Sequence, residues 1–167
     1  MSIGKRLLLI FIVLVLCVGC DQTTKFAAES YLPDYGILSF LGGTVRLQLA
    51  HNHGAFLRLG ASLPNVWRNG LLSFGVGMML LMLLSYAALS KSATRPELLA
   101  FALLLGGGVS NLADRLMYNG YVIDFMNVGI GSLRTGIFNV ADIAVMVGII
   151  LLIANGSNDR NKSVESA

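Results

Sequence analysis

The stretch VLCVGCDQTTK, Val15 to Lys25, admits two readings that lead to different folds. Lys5, Arg6 and a short apolar run precede it, so Val18-Gly19-Cys20 can be read as the end of a lipoprotein export signal, with Cys20 lipidated and everything before it removed. Alternatively, Asp21-Gln22-Thr23-Thr24-Lys25 is the polar end of a transmembrane helix that stays in place. The rest of the chain decides between them, because a secreted lipoprotein needs no further span.

Hydrophobic residues make up 55% of the 167, charged residues only 13%, and the mean hydropathy is +0.72. That is the composition of a membrane chain, not of a soluble domain. The net charge of +3 does not point to nucleic acid, because the twelve Lys and Arg are scattered singly rather than gathered on one stripe or arm. Their expected roles are membrane orientation and attraction to the lipid surface. Cys17 and Cys20 form neither a disulfide framework nor a metal quartet, so no structural zinc is expected.

A spanning helix needs about 20 mostly apolar residues. Gly70 to Leu89 supplies them without a charge. Leu98 to Leu112 follows Thr94-Arg95-Pro96-Glu97, a helix-starting set, and reaches membrane length only if Asp114 and Arg115 lie at its far end. Ile143 to Ala154 is short unless Phe138, Asn139 and Asp142 are inside it, and Leu7 to Val18 is short unless it extends through Asp21 toward Ala28. Three of the four runs therefore take in carboxylates, which are costly in lipid and mark function when present.

With Lys5-Arg6, the Lys91-to-Arg95 turn and the Arg160-Lys162 tail all cytoplasmic, as the positive-inside tendency favours for short flanks, Asp21, Asp114 and Asp142 lie near one external leaflet. Asp124 is then in the external loop between the third and fourth helices. The other six basic residues lie on or near the outer side, so the orientation rests on loop position and not on the count. An external segment runs from Glu29 to Trp67. Within it Val45 to His51 alternates apolar and polar like a half-buried strand, with turns at Gly42-Gly43 and Gly54. A second short strand is expected at Tyr121 to Phe125, after the Asn119-Gly120 turn signal. The last residues, Gly156 to Ala167, read as a frayed polar tail.

Asp124 and Asp142 are the leading candidates for chemistry. Two close carboxylates in a poorly solvated site cannot both ionise easily, so one keeps a proton while the other can act as a base and activate water. A salt bridge to Arg115 or Arg134, or a helix-start carboxylate, explains the same residues without catalysis. Asn111, Asp114 and Arg115 share one helix face at i, i+3 and i+4, and Asn139 and Asp142 do so at i, i+3. The first set also fits a buried network that locks helices together. Gly106-Gly107-Gly108 suits close helix packing. His51 and His53 read as solvated loop residues rather than metal ligands. No Ser or Cys has an evident base beside it.

These residues together resemble lipoprotein signal peptidases, the signal peptidase II family of bacterial inner-membrane aspartyl proteases. Asp21-Gln22-Thr23-Thr24-Lys25 is similar to the family's D-Q-x-[ST]-K, and Asn52-His53-Gly54-Ala55 to its N-x-G-A loop. Gly106 to Arg115 resembles its glycine-rich G-N-x-x-D-R segment. Val122-Ile123-Asp124-Phe125 and Phe138-Asn139-Val140-Ala141-Asp142 resemble the two stretches that hold its catalytic aspartates. The likeness runs from Gly4 to about Ala154. Phe56-Leu57-Arg58 departs from the family's usual Ala-Phe and small polar residue, and Ser110 stands where the family most often has glycine.

The resemblance implies Asp124 and Asp142 as a catalytic dyad. It implies Asn52, Asn111, Arg115 and Asn139 as groups that position substrate, with Asp21, Lys25, Gly54 and Asp114 in support. The implied substrate is a prolipoprotein whose cysteine already carries a diacylglyceryl group, cut on the amino side of that cysteine, with no metal or cofactor required. The expected fold is an all-α membrane protein of four transmembrane helices with a small external β-sheet between helices 1 and 2. Residues 1–155 would form one peptidase domain, a monomer in the inner membrane with both termini cytoplasmic, and 156–167 its tail. The opening stretch then reads as an uncleaved first helix, since Cys17 occupies the place where a lipobox prefers leucine. A small transporter is the other alternative, but it would place its ionisable residues near the bilayer midplane, often with internal repeats.

Overall fold

In the computed structural model, which describes residues 1–33, 36–53 and 65–165, the apolar runs become four helices. These are α1 (Ile3–Tyr31), α2 (Asn65–Leu89), α3 (Arg95–Met117) and α4 (Val140–Glu165). Two of them, α1 and α3, are long and apolar enough to cross a membrane, while α2 and α4 carry shorter apolar stretches at Ser73–Leu89 and Val140–Gly156. Asp21 to Lys25 lie inside α1, which continues past them to Tyr31, so the opening stretch is helix interior. The α3 start forms as its sequence predicts. Thr94 and Glu97 cap each other reciprocally, with Pro96 in the first turn.

The sheet corrects one expectation. It is not confined to the connection between α1 and α2 but draws strands from two connections. Strands β1 (Leu38–Phe40) and β2 (Val45–Asn52) precede α2, whereas β3 (Val122–Ile130) and β4 (Leu133–Arg134) lie between α3 and α4. All pair antiparallel in the order β1-β2-β3-β4. The second strand is longer than Tyr121 to Phe125 because its apolar side finds a partner in β2 as far as Val128. Asn119 and Gly120, at φ 54° and 96°, turn the chain from α3 into β3 rather than closing a hairpin.

Three boundaries also differ. The connection between α1 and α2 is narrower than Glu29 to Trp67, because helix occupies both ends. Phe138 and Asn139 precede α4 instead of lying inside it, since Phe138 is spent on a β-bridge to Met126. Residues 156–165, expected as a frayed tail, continue α4, in which Gly156 is not followed by a proline. Gly54 and the Phe56-Leu57-Arg58 departure fall outside the described residues.

Helix α3 is central and packs on α1, α2 and α4. Its triple glycine makes this possible. A Cβ on Gly106 would come within 2.6 Å of Cys17 Cβ in α1, one on Gly108 within 2.5 Å of Leu80 Cδ2 in α2, and one on Gly107 would collide with the Ala141 carbonyl in α4. Three consecutive residues thus admit close approach of three neighbouring helices. Below them Ile10, Leu80, Ala87, Leu98, Ala102 and Leu105 form the buried apolar core. At the far end Arg6 is buried and donates to the carbonyls of Met1, at 3.2 Å, and Ser90, which ties the start of α1 to the end of α2.

Candidate active site

The site forms where the sheet meets the ends of α1 and α3 and the start of α4. The Phe138 bridge does the joining. Its carbonyl accepts from the backbone N–H groups of Phe125 and Met126, at 3.1 and 2.9 Å, and its own N–H donates to the Met126 carbonyl at 2.8 Å. Asn139 and α4 are thereby set beside Asp124 in mid-β3. On the other side of β3, Ala50 stands opposite Asp124 and Asn52 opposite Val122. Between Leu47 and Ala50 the register shifts, a bulge of the kind that re-aims side chains next to functional sites.

Asn139 joins the two candidate carboxylates. Its Nδ2 donates to Asp124 Oδ1 at 2.7 Å, while its Oδ1 accepts from the backbone N–H of Asp142 at 2.9 Å. Asp142 Oδ2 in turn accepts from the backbone N–H of Asn139 at 3.1 Å. This is a capping box, with Asn139 as N-cap and Asp142 three residues on. Asp142 is thus both a helix-start carboxylate and a member of the pair. Asn111 Nδ2 donates to Asp142 Oδ1 at 3.0 Å, and Asn52 Nδ2 to Asp124 Oδ2 at 2.9 Å.

Behind this pair lies a second buried network. Lys25, four residues after Asp21 on α1, places its ammonium 2.6 Å from Asp21 Oδ2, 2.8 Å from Asp114 Oδ2 and 3.1 Å from Asn111 Oδ1. Asp21 Oδ1 accepts from the backbone N–H of Ala141 at 2.8 Å, and Asp114 Oδ2 from that of Ile123 at 3.1 Å. The network therefore grips the residues next to both candidate carboxylates. Arg115 is half-buried and donates to the Asn111 carbonyl at 3.2 Å.

The structure gathers Asp124, Asp142, Asn52, Asn111 and Asn139 in one cluster, with Asp21, Lys25 and Asp114 joined to it through Asn111. Among the described residues, neither Arg115 nor Arg134 forms an ion pair with Asp124 or Asp142. Arg134 instead donates to Asn127 and to the Gly43, Thr44 and Gly129 carbonyls. His51 and His53 are exposed and rest against the Tyr121 ring, at 4.5 and 5.3 Å between centroids. Sequence reasoning gave no role to Gln22, which donates to Asp114 Oδ1 at 2.7 Å, or to Ser110, which donates to Asp21 Oδ2 at 2.7 Å. The available signal was the excess of buried charge: Asp21, Lys25 and Asp114 demand further partners inside an apolar chain.

Asp124 is 2% exposed. Burial pushes its carboxyl up to about 6, with the Asp142 charge acting in the same direction and the Asn52 and Asn139 hydrogen bonds and Lys25 opposing it. A carboxyl so placed can hold a proton near neutral pH beside a second carboxylate in the same hydrogen-bond system. Such a pair can take one proton from a water and donate another.

Residues 13–156 match the sequence profile of Peptidase_A8, signal peptidase (SPase) II. A protein of Francisella tularensis subsp. novicida named lipoprotein signal peptidase is 33% identical over 167 residues, covering 98% of this chain and 100% of its own. Another of that name, from Burkholderia mallei, is 35% identical over 133 residues, covering 80% and 78%. Two solved bacterial membrane enzyme structures, determined by the in meso method at 2.3 and 1.9 Å, share the fold with TM-scores of 0.76 and 0.73 at 22% identity. They cover 95% and 91% of this chain and 91% and 92% of their own. The chain belongs to the signal peptidase II family of bacterial membrane proteases.

Proposed function

We propose that the protein is an aspartyl endopeptidase that removes signal peptides from diacylglyceryl-modified prolipoproteins, with Asp124 and Asp142 as its catalytic dyad. The observation that carries this reading is that Asn139 holds both carboxylates in one hydrogen-bond system, Asp124 Oδ1 through its side-chain amide and Asp142 Oδ2 through its backbone N–H. One carboxylate deprotonates a water, which adds to the scissile carbonyl. The other, protonated, donates to the carbonyl oxygen as charge develops there. Asn52, Asn111 and Arg115 orient the peptide, and no metal or cofactor takes part.

All four helices cross the inner membrane, with both termini cytoplasmic and the dyad near the outer leaflet. Support comes from the length of α1. At about 1.5 Å per residue, Asp21 lies roughly 27 Å from the start of the helix, close to the thickness of the hydrocarbon core. A scissile bond beside a lipid anchor is held at that depth. The protein acts as a monomer on substrates that reach it through the bilayer.

The test is a gel assay of diacylglyceryl-modified prolipoprotein in bilayers, comparing wild type with Asp124→Asn and Asp142→Asn at matched membrane levels. Wild type is expected to yield the mature band, and each variant to be slower by about 10²–10⁴-fold. Normal cleavage by either variant, or none by wild type where a known peptidase works, overturns the reading.

A further inference from the structure

Successive side chains of a strand point to opposite faces of the sheet, and residues paired across two strands share a face. On β2 and β3, His51 pairs with Ile123 and Asn52 with Val122, so the same register sets His53 opposite Tyr121. Tyr121, His51 and His53 therefore share one face. Asn52, the last residue of β2, lies on the other with Asp124, to whose Oδ2 its amide donates at 2.9 Å.

The rings meet accordingly. The centroid of the half-buried Tyr121 ring lies 4.5 Å from that of His51, tilted by 35°, and 5.3 Å from that of His53, edge-on at 62°. Both separations are those of favourable ring contacts. One ring thus touches both chain neighbours of Asn52. Tyr121 is itself braced by Tyr118, the C-cap of α3, whose ring stacks on it at 5.4 Å. The turn that carries the two tyrosines is pinned to the helix: the Tyr118 N–H donates to the Asp114 carbonyl at 2.7 Å and the Gly120 N–H to the Arg115 carbonyl at 2.8 Å. The end of β2 is therefore tied through rings to α3, the same helix whose Asn111 reaches Asp142.

We propose that Tyr121 is a positioning residue for the reaction: its ring, seated across His51 and His53, fixes the end of β2 so that the Asn52 amide between them stays on Asp124. The proposal rests on the dyad reading above, and it gives the two histidines a use as seats for the ring.

A consequence can be read at Asp124. The Asn52 hydrogen bond favours its ionised form and opposes burial and the Asp142 charge. With Asn52 displaced, Asp124 holds its proton to higher pH. The charged groups that face Asp124 are Asp142 on α4, Lys25 on α1 and Arg115 on α3; His51 and His53 flank Asn52 on β2, and Glu29 on α1 faces Tyr118. Replacing Tyr121 with Leu or Phe adds no charge to this set.

The experiment is infrared spectroscopy of the full chain in bilayers from pH 5 to 8, following the protonated-carboxyl band that Asp124→Asn removes. Wild type should lose this band as pH rises through about 6. Tyr121→Leu should lose it about one pH unit higher, a tenfold change in proton affinity, whereas Tyr121→Phe, which keeps the ring, should titrate with wild type. In the gel assay Tyr121→Leu should slow cleavage about tenfold, but less than about twofold in an Asn52→Leu background, because both changes act through one contact. Where Tyr121→Leu does not reach wild-type membrane levels, Tyr118→Leu removes the brace instead and should give a smaller shift in the same direction. A leucine variant that titrates with wild type, a phenylalanine variant shifted as far as the leucine one, or losses that multiply in the double variant overturns the proposal. The titration does not depend on cleavage, so failure of the peptidase reading shows separately as a wild type that yields no mature product.

Discussion

Replacing Lys25 with Met tests whether the buried network behind the dyad holds the site together. The Lys25 side chain is 2% exposed and the Asp21 side chain 0%, with ion-pair distances of 2.6 and 2.8 Å to Asp21 and Asp114. Met fills similar volume but leaves two buried carboxylates facing each other where a cation stood. Removing one partner of a buried ionic group costs about 3–5 kcal/mol, because the desolvation of the remaining charge goes uncompensated. Coulomb's law gives a similar figure: two carboxylate oxygens about 5 Å apart repel by about 3 kcal/mol at an effective dielectric of 20. The lost bond to Asn111 adds about 1 kcal/mol. In a chain of this size a total loss of about 4–6 kcal/mol lowers the unfolding midpoint by about 8–24 °C, which thermal unfolding in detergent can read. The double variant Lys25→Met with Asp114→Asn removes one stranded charge and should recover most of the deficit. A single variant that unfolds within about 2 °C of wild type, or a double no more stable than the single, would refute the reasoning.

Gly107→Ala places a methyl against the Ala141 carbonyl and 2.8 Å from Val145 Cγ2, so α3 and α4 must separate. Overpacking of this kind costs about 1–3 kcal/mol, and displacement of Asp142 from Asn111 should slow cleavage at least tenfold in the gel assay. Ser110→Ala removes a fully buried donor to Asp21 and should destabilise by about 1–3 kcal/mol, read by thermal unfolding. The free enzyme's kcat/KM should fall as pH rises through about 6, as Asp124 loses its proton. The same elevation affects stability. The folded carboxyl titrates near 6 and the unfolded one near 3.8, so its contribution is fully present below 3.8 and is lost as pH rises to 6, by about 3 kcal/mol in total. Unfolding midpoints measured across that window check the sign.

The apolar runs around Gly70 to Leu89 and Leu98 to Leu112 were legible because a membrane-length stretch without charge has few other uses. The start of α3 was legible because Thr94-Arg95-Pro96-Glu97 encodes its own cap. Asn111 and Asp142 could be singled out because polar residues in apolar helices stand out against their surroundings, and Asp124 and Asn139 because they lie in or beside short apolar stretches. What local sequence could not show was partnership. The extent of β3 depends on pairing with β2, about eighty residues away, and Phe138 leaves the helix pattern only because Met126 is there to bridge it. Asp21 and Lys25 stand four residues apart on α1 and pair, but that Lys25 also meets Asn111 depends on how α1 and α3 pack. That packing depends in turn on Gly106.

A capping box of Asn and Asp at a helix start is complete in itself and needs no catalytic explanation. Here its N-cap amide has donor capacity left after it accepts from the Asp142 N–H, and the Phe138 bridge delivers Asp124 to that donor. The local cap thus becomes half of a two-carboxylate site only because β3 is pinned to the start of α4. The other half is fixed from α3, which can approach closely enough for Asn111 to reach Asp142 because Gly107 lies against the Ala141 carbonyl. Helix packing and the geometry of the proposed dyad are therefore set by the same contacts. A substitution that loosens the α3–α4 contact must misalign the carboxylates even when it touches neither, and a loss of activity at Gly107 with both aspartates intact is the outcome this coupling requires.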